Sequence, residues 1–263
     1  MKERADYKTR GFTFTELLVV VSLGAILVGT ILPALNTAQD TMKAAVCLGN
    51  MHQWGVAVSL YTADQKDYYP YDGNVSASVC DTPNANAWYN VLPPYIKQPK
   101  LCDLYGANTP PTPRMKGIWT CPSATNTTVS PTLANPDFMY AISTCLHGTL
   151  GAHATFRRSR MVSPATTIIL VEEPEDVFPS TNGKFIAEDP FGNYTPSTAR
   201  HSGGLNFVMG DGHAQWIRIE DYCRNCPSDA GAFNDSSVGP NGDWHAGRPY
   251  HWWFAPGIST SPQ

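Results

Sequence analysis

The sequence has few charged residues and lacks the common phosphate-binding motifs. Asp, Glu, Lys and Arg make up 15% of its 263 residues, against about 25% in an average globular protein. The formal net charge is -4 and the 18 Lys and Arg residues are scattered, so the chain has no basic face for a nucleic acid. It contains no GxGxxG or P-loop pattern. Nucleic-acid binding and nucleotide-dependent catalysis are therefore not expected.

Hydrolase motifs are also missing from the sequence. It has no serine nucleophile elbow, no HExxH and no paired metal motif, so we expect a protein that is not an enzyme. What it has instead is 21 Gly and 22 Pro spread along the chain, which predicts many loops over a modest sheet. Its seven cysteines favour an oxidising compartment outside the cytoplasm.

The N-terminal region pairs a short basic leader with a long apolar run. Residues 1–10 carry more basic than acidic side chains, and after Glu16 the next charge is Asp40. The uncharged stretch would span about 35 Å as a helix, enough for a bilayer core of roughly 30 Å. No A-x-A-like cleavage site follows the run, as a secretory signal peptide would require. We predict a membrane span over about 12–35, with the basic leader on the cytoplasmic side.

The helical pattern continues beyond the apolar run and predicts one long helix over 12–64. Pro33 should bend or locally melt this helix because proline removes a backbone donor and clashes with the preceding turn. The helix must end before Tyr69-Pro70, since proline restricts the residue before it. The second half shows apolar residues at helical spacing, which predicts its packing face: Met42, Ala45, Val46, Gly49, Val56 and Leu60.

The residues Gly11, Phe12, Glu16 and Pro33, in the order "GFTFTELLVV…LP", resemble the N-terminal signature of type IV pilins and type II secretion pseudopilins. The resemblance implies that a prepilin peptidase removes residues 1–11 and that the new N-terminal Phe12 is methylated. It also implies that Glu16 meets the free N-terminus of a neighbouring subunit during assembly. That ammonium would be the counter-charge that makes a carboxylate tolerable at membrane level. The competing interpretation is a plain single-pass anchor with Glu16 at the interface.

Residues 65–263 read as a globular head of turns and short strands. Apolar and β-branched runs predict strands at 118–126, 166–174, 205–209 and 213–219. The last two flank Gly210-Asp211-Gly212, a strong hairpin signal. With the long helix, this pattern predicts an α+β, pilin-like fold in which the helix packs on a single antiparallel sheet with long loops.

His201, nine intervening residues and Asp211-Gly212 resemble the H-X9-DG element of a prepilin-like group with large heads. The segments "VCLGNMHQWGVAVSLYTADQKDYYP" and "WTCPSA" are similar to other landmarks of that group. A strand between His201 and Asp211 would hold them roughly 20 Å or more apart, too far for an acid/base pair. We therefore expect Asp211-Gly212 to set the hairpin turn within 201–219, and His201 to cap a loop or bond to nearby backbone.

The cysteine spacing leaves the pairing open. Cys223 and Cys226 form one CxxC, half of a zinc site at most, and zinc would need two more ligands such as Cys145 or His147. Disulfides are expected instead, so no metal is assigned. We predict a first pairing of Cys47 with Cys121, because it would tie the helix to the sheet. With seven thiols, one is left unpaired or joins another chain.

Two loops and the C-terminal tail allow alternative ligands. The acid- and amide-rich loops at 67–74 and 232–244 offer oxygen ligands for Ca²⁺, but neither has EF-hand spacing, so we expect ordinary turns and no cofactor. The tail crowds five large aromatic residues together, which suits a contact surface, a sugar-stacking platform or a tail that wraps the head. These residues are Trp244, Tyr250, Trp252, Trp253 and Phe254.

These features favour a structural subunit of a type IV pilus-like or type II secretion pseudopilus-like filament. Its partners would be copies of itself, other pilin-like subunits and a prepilin peptidase. Before assembly it would be a single-pass protein of the bacterial inner membrane with its head outside the cytoplasm, and afterwards part of a periplasmic or extracellular filament. Two alternatives stay open. A surface-displayed adhesive or glycan-binding module should show exposed, coplanar rings, and a tethered hydrolase should bring His201 within hydrogen-bond distance of a carboxylate.

Overall fold

The computed structural model places the chain in two compact units, one ending at Met42 and the other beginning at Lys43. Several predicted features lie outside the residues that it describes: the leader residues 1–10, Cys223 and Cys226, the loop at 232–244 and the aromatic tail. The described residues are 11–73, 77–111, 117–124, 139–142, 157–161, 163–172 and 200–218.

Helix α1, Phe14–Asp64, is 51 residues long and confirms the predicted long N-terminal helix. It continues through Pro33 without a break, so the predicted local melting at Pro33 is wrong, whereas the alternative, a bend there, stays a prediction. A single proline removes only one backbone donor, and the turns on both sides of it keep theirs. After the helix ends, Lys66 and Asp67 adopt positive φ angles of 53° and 73°, which turns the chain before Tyr69-Pro70.

The first unit exposes its apolar side chains. Every described residue in 11–42 is exposed, including Val19 at 53% and Leu27 at 61%. Among the described residues, α1 is the one helix long and apolar enough to cross a membrane by length and composition. The fold of this unit therefore leaves its apolar surface for a membrane or another molecule to cover.

The half of α1 that belongs to the second unit packs through a different face from the predicted one. Val46, Val56 and Leu60 are 52%, 38% and 46% exposed, so the predicted apolar stripe faces outward. The buried face includes Trp54, whose ring meets Trp88 and Trp119 edge-on with centroids 5.2 and 5.1 Å apart. This face is the buried one because its aromatic ring offers a large apolar area and its polar groups find hydrogen-bond partners. Its members are Cys47, Asn50, Met51, Trp54, Gly55, Ala57, Val58 and Thr62.

In the part of the chain that the structure describes, the sheet has four strands in the order β1-β2-β3-β4, each antiparallel to its neighbour. Together with α1 it confirms the predicted α+β class. The tight turn between the last two strands is closed by Met209 N–H donating to His213 O at 2.9 Å. The strands are β1 (Tyr140–Ile142), β2 (Ile168–Glu172), β3 (Gly204–Met209) and β4 (Ala214–Arg218).

The predicted strand at 118–126 is wrong, because residues 117–124 form turns. Three of their carbonyl groups accept hydrogen bonds from side chains of α1. The Asn50 amide donates to Gly117 O and Thr120 O, both at 3.0 Å, and the Trp54 indole donates to Ile118 O at 3.0 Å. These three bonds fasten the 117–124 segment to the helix.

Short helices and one disulfide complete the described part of the head. The Cys80–Cys102 disulfide joins Cα atoms 5.0 Å apart, a pairing that the sequence reasoning missed. Asn90 reinforces this region, because its amide donates to Val79 O at 2.8 Å and its oxygen accepts from Cys102 N at 3.1 Å. The helices are α2 (Trp88–Val91), α3 (Leu101–Gly106) and 3₁₀ turns at Thr82–Asn84, Pro93–Ile96 and Arg158–Arg160.

Candidate functional site

The N-terminal site lies at the start of α1. Phe12 is 73% exposed, and Glu16 folds back on the helix start. Glu16 Oε2 accepts from Thr13 N at 2.8 Å and from the Thr13 hydroxyl at 2.7 Å, while Glu16 N lies 3.3 Å from that hydroxyl. This reciprocal arrangement is a capping box. The spacing T-x-x-E was the signal for it, whereas Glu16 was predicted to serve assembly alone.

The H-X9-DG segment has two separate ends, because β3 lies between them. At the DG end, Asp211 Oδ1 accepts from His213 N at 3.0 Å and supports the turn. Gly212 has φ +94°, and a Cβ built on it would press on Ser59 of α1. The backbone conformation therefore favours glycine, and any larger residue would also force the Ser59 hydroxyl to move. Asp211 and His201 do not form an acid/base pair.

The other end of the segment leads into a buried cluster of four side chains. Cys47 comes from α1, Cys121 from the 117–124 turns, Glu172 from the end of β2 and His201 from the residues before β3. Their ligand-type atoms all lie within 4.8 Å of one another, and all four residues are buried. The four segments of the chain meet at this point.

Short contacts connect the members of the cluster. The Cys47 thiol donates to Glu172 Oε1 at 3.0 Å, His201 Nε2 lies 3.0 Å from the same oxygen, and Cys121 Sγ lies 3.3 Å from His201 Nε2. The Tyr140 hydroxyl lies 3.5 Å from Cys47 Sγ. The imidazole thus bonds to a thiol and a carboxylate, and not to nearby backbone as predicted.

The surrounding fold positions these side chains. Cys47 lies about one helical turn before Asn50 on α1. The Asn50 amide is hydrogen-bonded to the 117–124 segment, which carries Cys121. The Cys121 N–H points at Met139 Sδ at 3.2 Å. The carbonyl of His201 accepts from the Trp216 indole at 3.0 Å, which fixes the backbone from which the imidazole extends.

Two further polar residues surround Glu172. Arg200 Nη1 lies 3.4 Å from Glu172 Oε1, with the two side chains only 4% and 0% exposed. Asn206 Nδ2 donates to Glu172 Oε2 at 3.0 Å. A buried carboxylate needs such partners because dehydration of an unpaired charge is costly.

The electrostatics of the cluster follow from these contacts. Burial alone raises the pKa of Glu172, but the hydrogen bond from His201 and the charge of Arg200 outweigh it and hold that pKa at about 2. Burial lowers the pKa of His201, whereas its bonds to Cys121 and Glu172 raise it to about 9. Burial raises the pKa of Cys47, while the side-chain contact with Cys47 lowers the pKa of Cys121. The carboxylate is therefore ionised at neutral pH.

The predicted Cys47–Cys121 disulfide is absent, because both residues are free cysteines. The two cysteines do lie together at the junction of helix and sheet, as predicted. Each sulfur has another partner, Glu172 for Cys47 and His201 for Cys121. Glu172 itself was missed, although it is the first carboxylate after the apolar run "TIILV", which was a signal for it.

The cluster meets the condition set for a hydrolase only in part. His201 is within hydrogen-bond distance of a carboxylate, which is Glu172 and not Asp211. However, Cys121 and Glu172 both approach the same ring nitrogen, Nε2. A nucleophile–His–acid relay uses the two ring nitrogens separately. The atoms therefore converge on one point, as ligands do.

The acid-rich loop at 67–74 is described as far as Gly73. Asp67 Oδ2 there accepts from Ser159 N at 2.7 Å, so this carboxylate ties the loop to the 3₁₀ turn at Arg158–Arg160. That this loop is an ordinary turn and not a calcium site stays a prediction.

One comparison with known proteins bears on the N-terminus. Residues 7–32 match a family model described as the Prokaryotic N-terminal methylation motif. No curated protein and no solved structure matches the chain. The likeness of residues 201–212 to the H-X9-DG group stays a prediction. The chain carries a type IV pilin-like signal at its N-terminus.

Proposed function

We propose that the protein is a structural subunit of a type IV pilus-like or type II secretion pseudopilus-like filament. The observation that carries the proposal is the methylation motif over residues 7–32. A prepilin peptidase would cut after Gly11, and Phe12 would become the methylated N-terminus. The inner membrane would hold the subunit before assembly.

The exposed first unit supports this proposal. Burial of apolar surface stabilises a protein by roughly 25 cal/mol per Å², and the side chains of residues 14–35 gain none of it within this unit, where all are exposed. A bilayer would cover them before assembly, and the corresponding helices of neighbouring subunits would cover them in a filament. Both environments suit a helix that is apolar all round.

Glu16 has a further role in this proposal. In a filament its carboxylate would lie among apolar helices, where the Phe12 ammonium of a neighbouring subunit would be its counter-charge. Such a pair would mainly set the axial register, because buried ion pairs specify geometry better than they add net stability. The capping box with Thr13 gives the same side chain a role inside its own chain, and an experiment must separate the two.

Two variants separate the roles. Glu16→Gln keeps an acceptor for the capping box but loses the charge, so we expect normal membrane insertion and loss of filaments. Thr13→Ala keeps the carboxylate and weakens the cap by about 1 kcal/mol, so we expect filaments near the wild-type yield. Electron microscopy and immunoblots of envelope fractions from the native host would measure both. Wild-type filament yield from Glu16→Gln contradicts a role for the charge.

Processing provides an independent test. Mass spectrometry of the mature chain should find N-methylated Phe12 at its N-terminus, in wild type and in both variants. A mature chain that begins at Met1, or beyond Leu32, contradicts the proposal.

A further inference from the structure

We propose that Cys47, Cys121, Glu172 and His201 bind a Zn²⁺ ion that ties α1 to the sheet. Two thiolates, one imidazole and one carboxylate are ligand types that zinc takes in tetrahedral sites. The inference goes beyond filament assembly, since it concerns the folding of the head and stands whether or not the protein polymerises.

The geometry fits a tetrahedral ion. With Zn–S near 2.3 Å and Zn–N or Zn–O near 2.0 Å, ligand atoms in such a site lie roughly 3.3–3.8 Å apart. The corresponding distances are 3.0 Å for Cys47 Sγ to Glu172 Oε1, 3.0 Å for Glu172 Oε1 to His201 Nε2 and 3.3 Å for Cys121 Sγ to His201 Nε2. Outward shifts of a few tenths of an ångström would bring these three contacts to the spacing of a metal site, and the remaining pairs of ligand atoms lie within 4.8 Å of one another.

The charges also fit. Arg200 already faces Glu172, with both side chains buried. A Zn²⁺ ion together with two thiolates adds no net charge, so the loaded cluster is electrically neutral in a part of the head where an unbalanced charge would be costly. Binding would release protons from the ligands, as metal sites built from thiols do.

A second shell of contacts surrounds the ligands. The Asn206 amide donates to Glu172 Oε2 at 3.0 Å, while Oε1 points into the cluster. The Trp216 indole fixes the backbone of His201. Buried partners of this kind orient metal ligands and raise affinity.

A Cys47–Cys121 disulfide is the competing chemistry in an oxidising compartment. The disulfide would use both sulfur atoms. It would give no role to His201 Nε2 or Glu172 Oε1, which point at the same place. Among the described residues, the buried His201 Nδ1 atom has no hydrogen-bond partner, so the described polar partners of this ring lie on the Nε2 side. Four atoms converging on one point favour an ion over a two-atom bond.

The first test uses the wild-type full-length protein, extracted from membranes in detergent without chelators. Elemental analysis should find one zinc per chain. Replacement by Co²⁺ should produce thiolate-to-metal charge transfer and the visible bands of tetrahedral cobalt. The protein is then unfolded in the presence of a chelator, without reductant, and treated with a thiol-alkylating reagent. Mass spectrometry should find Cys47 and Cys121 alkylated. A metal-free protein overturns the proposal, whether these cysteines are free or disulfide-bonded.

Variants assign the metal to this cluster. Cys121→Ser should lose the zinc, whereas the matched control Cys223→Ala/Cys226→Ala removes the CxxC and should keep it. Retention of zinc by Cys121→Ser together with loss of zinc from the double variant overturns the proposal.

The histidine comparison has its own control. His201→Gln should lose zinc, and His213→Gln, at an exposed position outside the cluster, should keep it. If ligand variants fail to fold, Asn206→Ala retains all four ligands and should bind zinc about 10- to 100-fold more weakly. Wild-type zinc affinity in Asn206→Ala overturns the proposal.

Discussion

Replacement of Gly55 by alanine tests how α1 and the β3–β4 hairpin pack. A Cβ at this position would lie 3.0 Å from the carbonyl carbon of Gly212, closer still to its oxygen, and 3.1 Å from Val208 Cγ1. Two of these atoms are backbone, so a rotamer change cannot relieve the clash. Either α1 or the hairpin turn must move.

The expected cost follows from two opposing terms. Glycine-to-alanine replacement inside a helix stabilises it by about 0.8–1 kcal/mol. Overpacking of a filled site costs about 1–3 kcal/mol, occasionally more, and a backbone clash belongs at the upper end of that range. We therefore expect Gly55→Ala to lower the free energy of unfolding by about 2 kcal/mol.

Gly49 provides a matched control on the same helix. A Cβ there has nothing within 4 Å, so Gly49→Ala should show the helix term alone and raise the free energy of unfolding by about 0.8–1 kcal/mol. The two variants should then differ by about 3 kcal/mol, or roughly 6–12 °C in melting temperature for a unit of this size.

Thermal unfolding of the detergent-solubilised full chain, followed by tryptophan fluorescence, would measure this difference. The probe is suitable because Trp54, Trp88 and Trp119 are buried together. Equal stabilities of Gly55→Ala and Gly49→Ala would refute the close packing of Gly55 on Gly212.

Two further predictions concern the head. The double variant Cys80→Ala/Cys102→Ala should lose about 3 kcal/mol of stability, because the disulfide has a sequence separation of 22 and constrains the unfolded chain; an unchanged urea midpoint would contradict this. The hydrogen bond from Tyr95 to Asp64, at 2.6 Å, lowers the pKa of that carboxyl, so its stabilising effect is present above the carboxyl's ordinary pKa and lost as the pH falls. Tyr95→Phe should raise the pKa of Asp64 in an NMR titration, and no change would show that the bond does not form in solution.

The sequence by itself determined the features that depend on neighbouring residues. A helix requires only an apolar or amphipathic run without early breakers, so α1 was predictable to within a few residues of each end. The methylation motif is a linear pattern over residues 7–32. The hairpin was equally local, because Gly210-Asp211-Gly212 specifies the turn and the alternation on either side specifies the strands.

The tertiary structure decided which face of α1 is buried and which side chains meet. Hydrophobic spacing favoured the stripe containing Val46 and Val56, but the helix packs through Trp54 and Asn50, whose polar atoms find carbonyl partners in a distant turn. No periodicity in α1 encodes those partners.

The buried cluster could not be predicted from the sequence either, because its members are far apart along the chain. Cys47 and Glu172 are 125 residues apart, and Cys121 and His201 are 80 residues apart. Each residue alone has an ordinary explanation, as a disulfide candidate, a strand-end carboxylate or a loop histidine. They become a site only because α1, the 117–124 turns and two neighbouring strands bring their polar atoms to one dehydrated point, where each needs the others as partners.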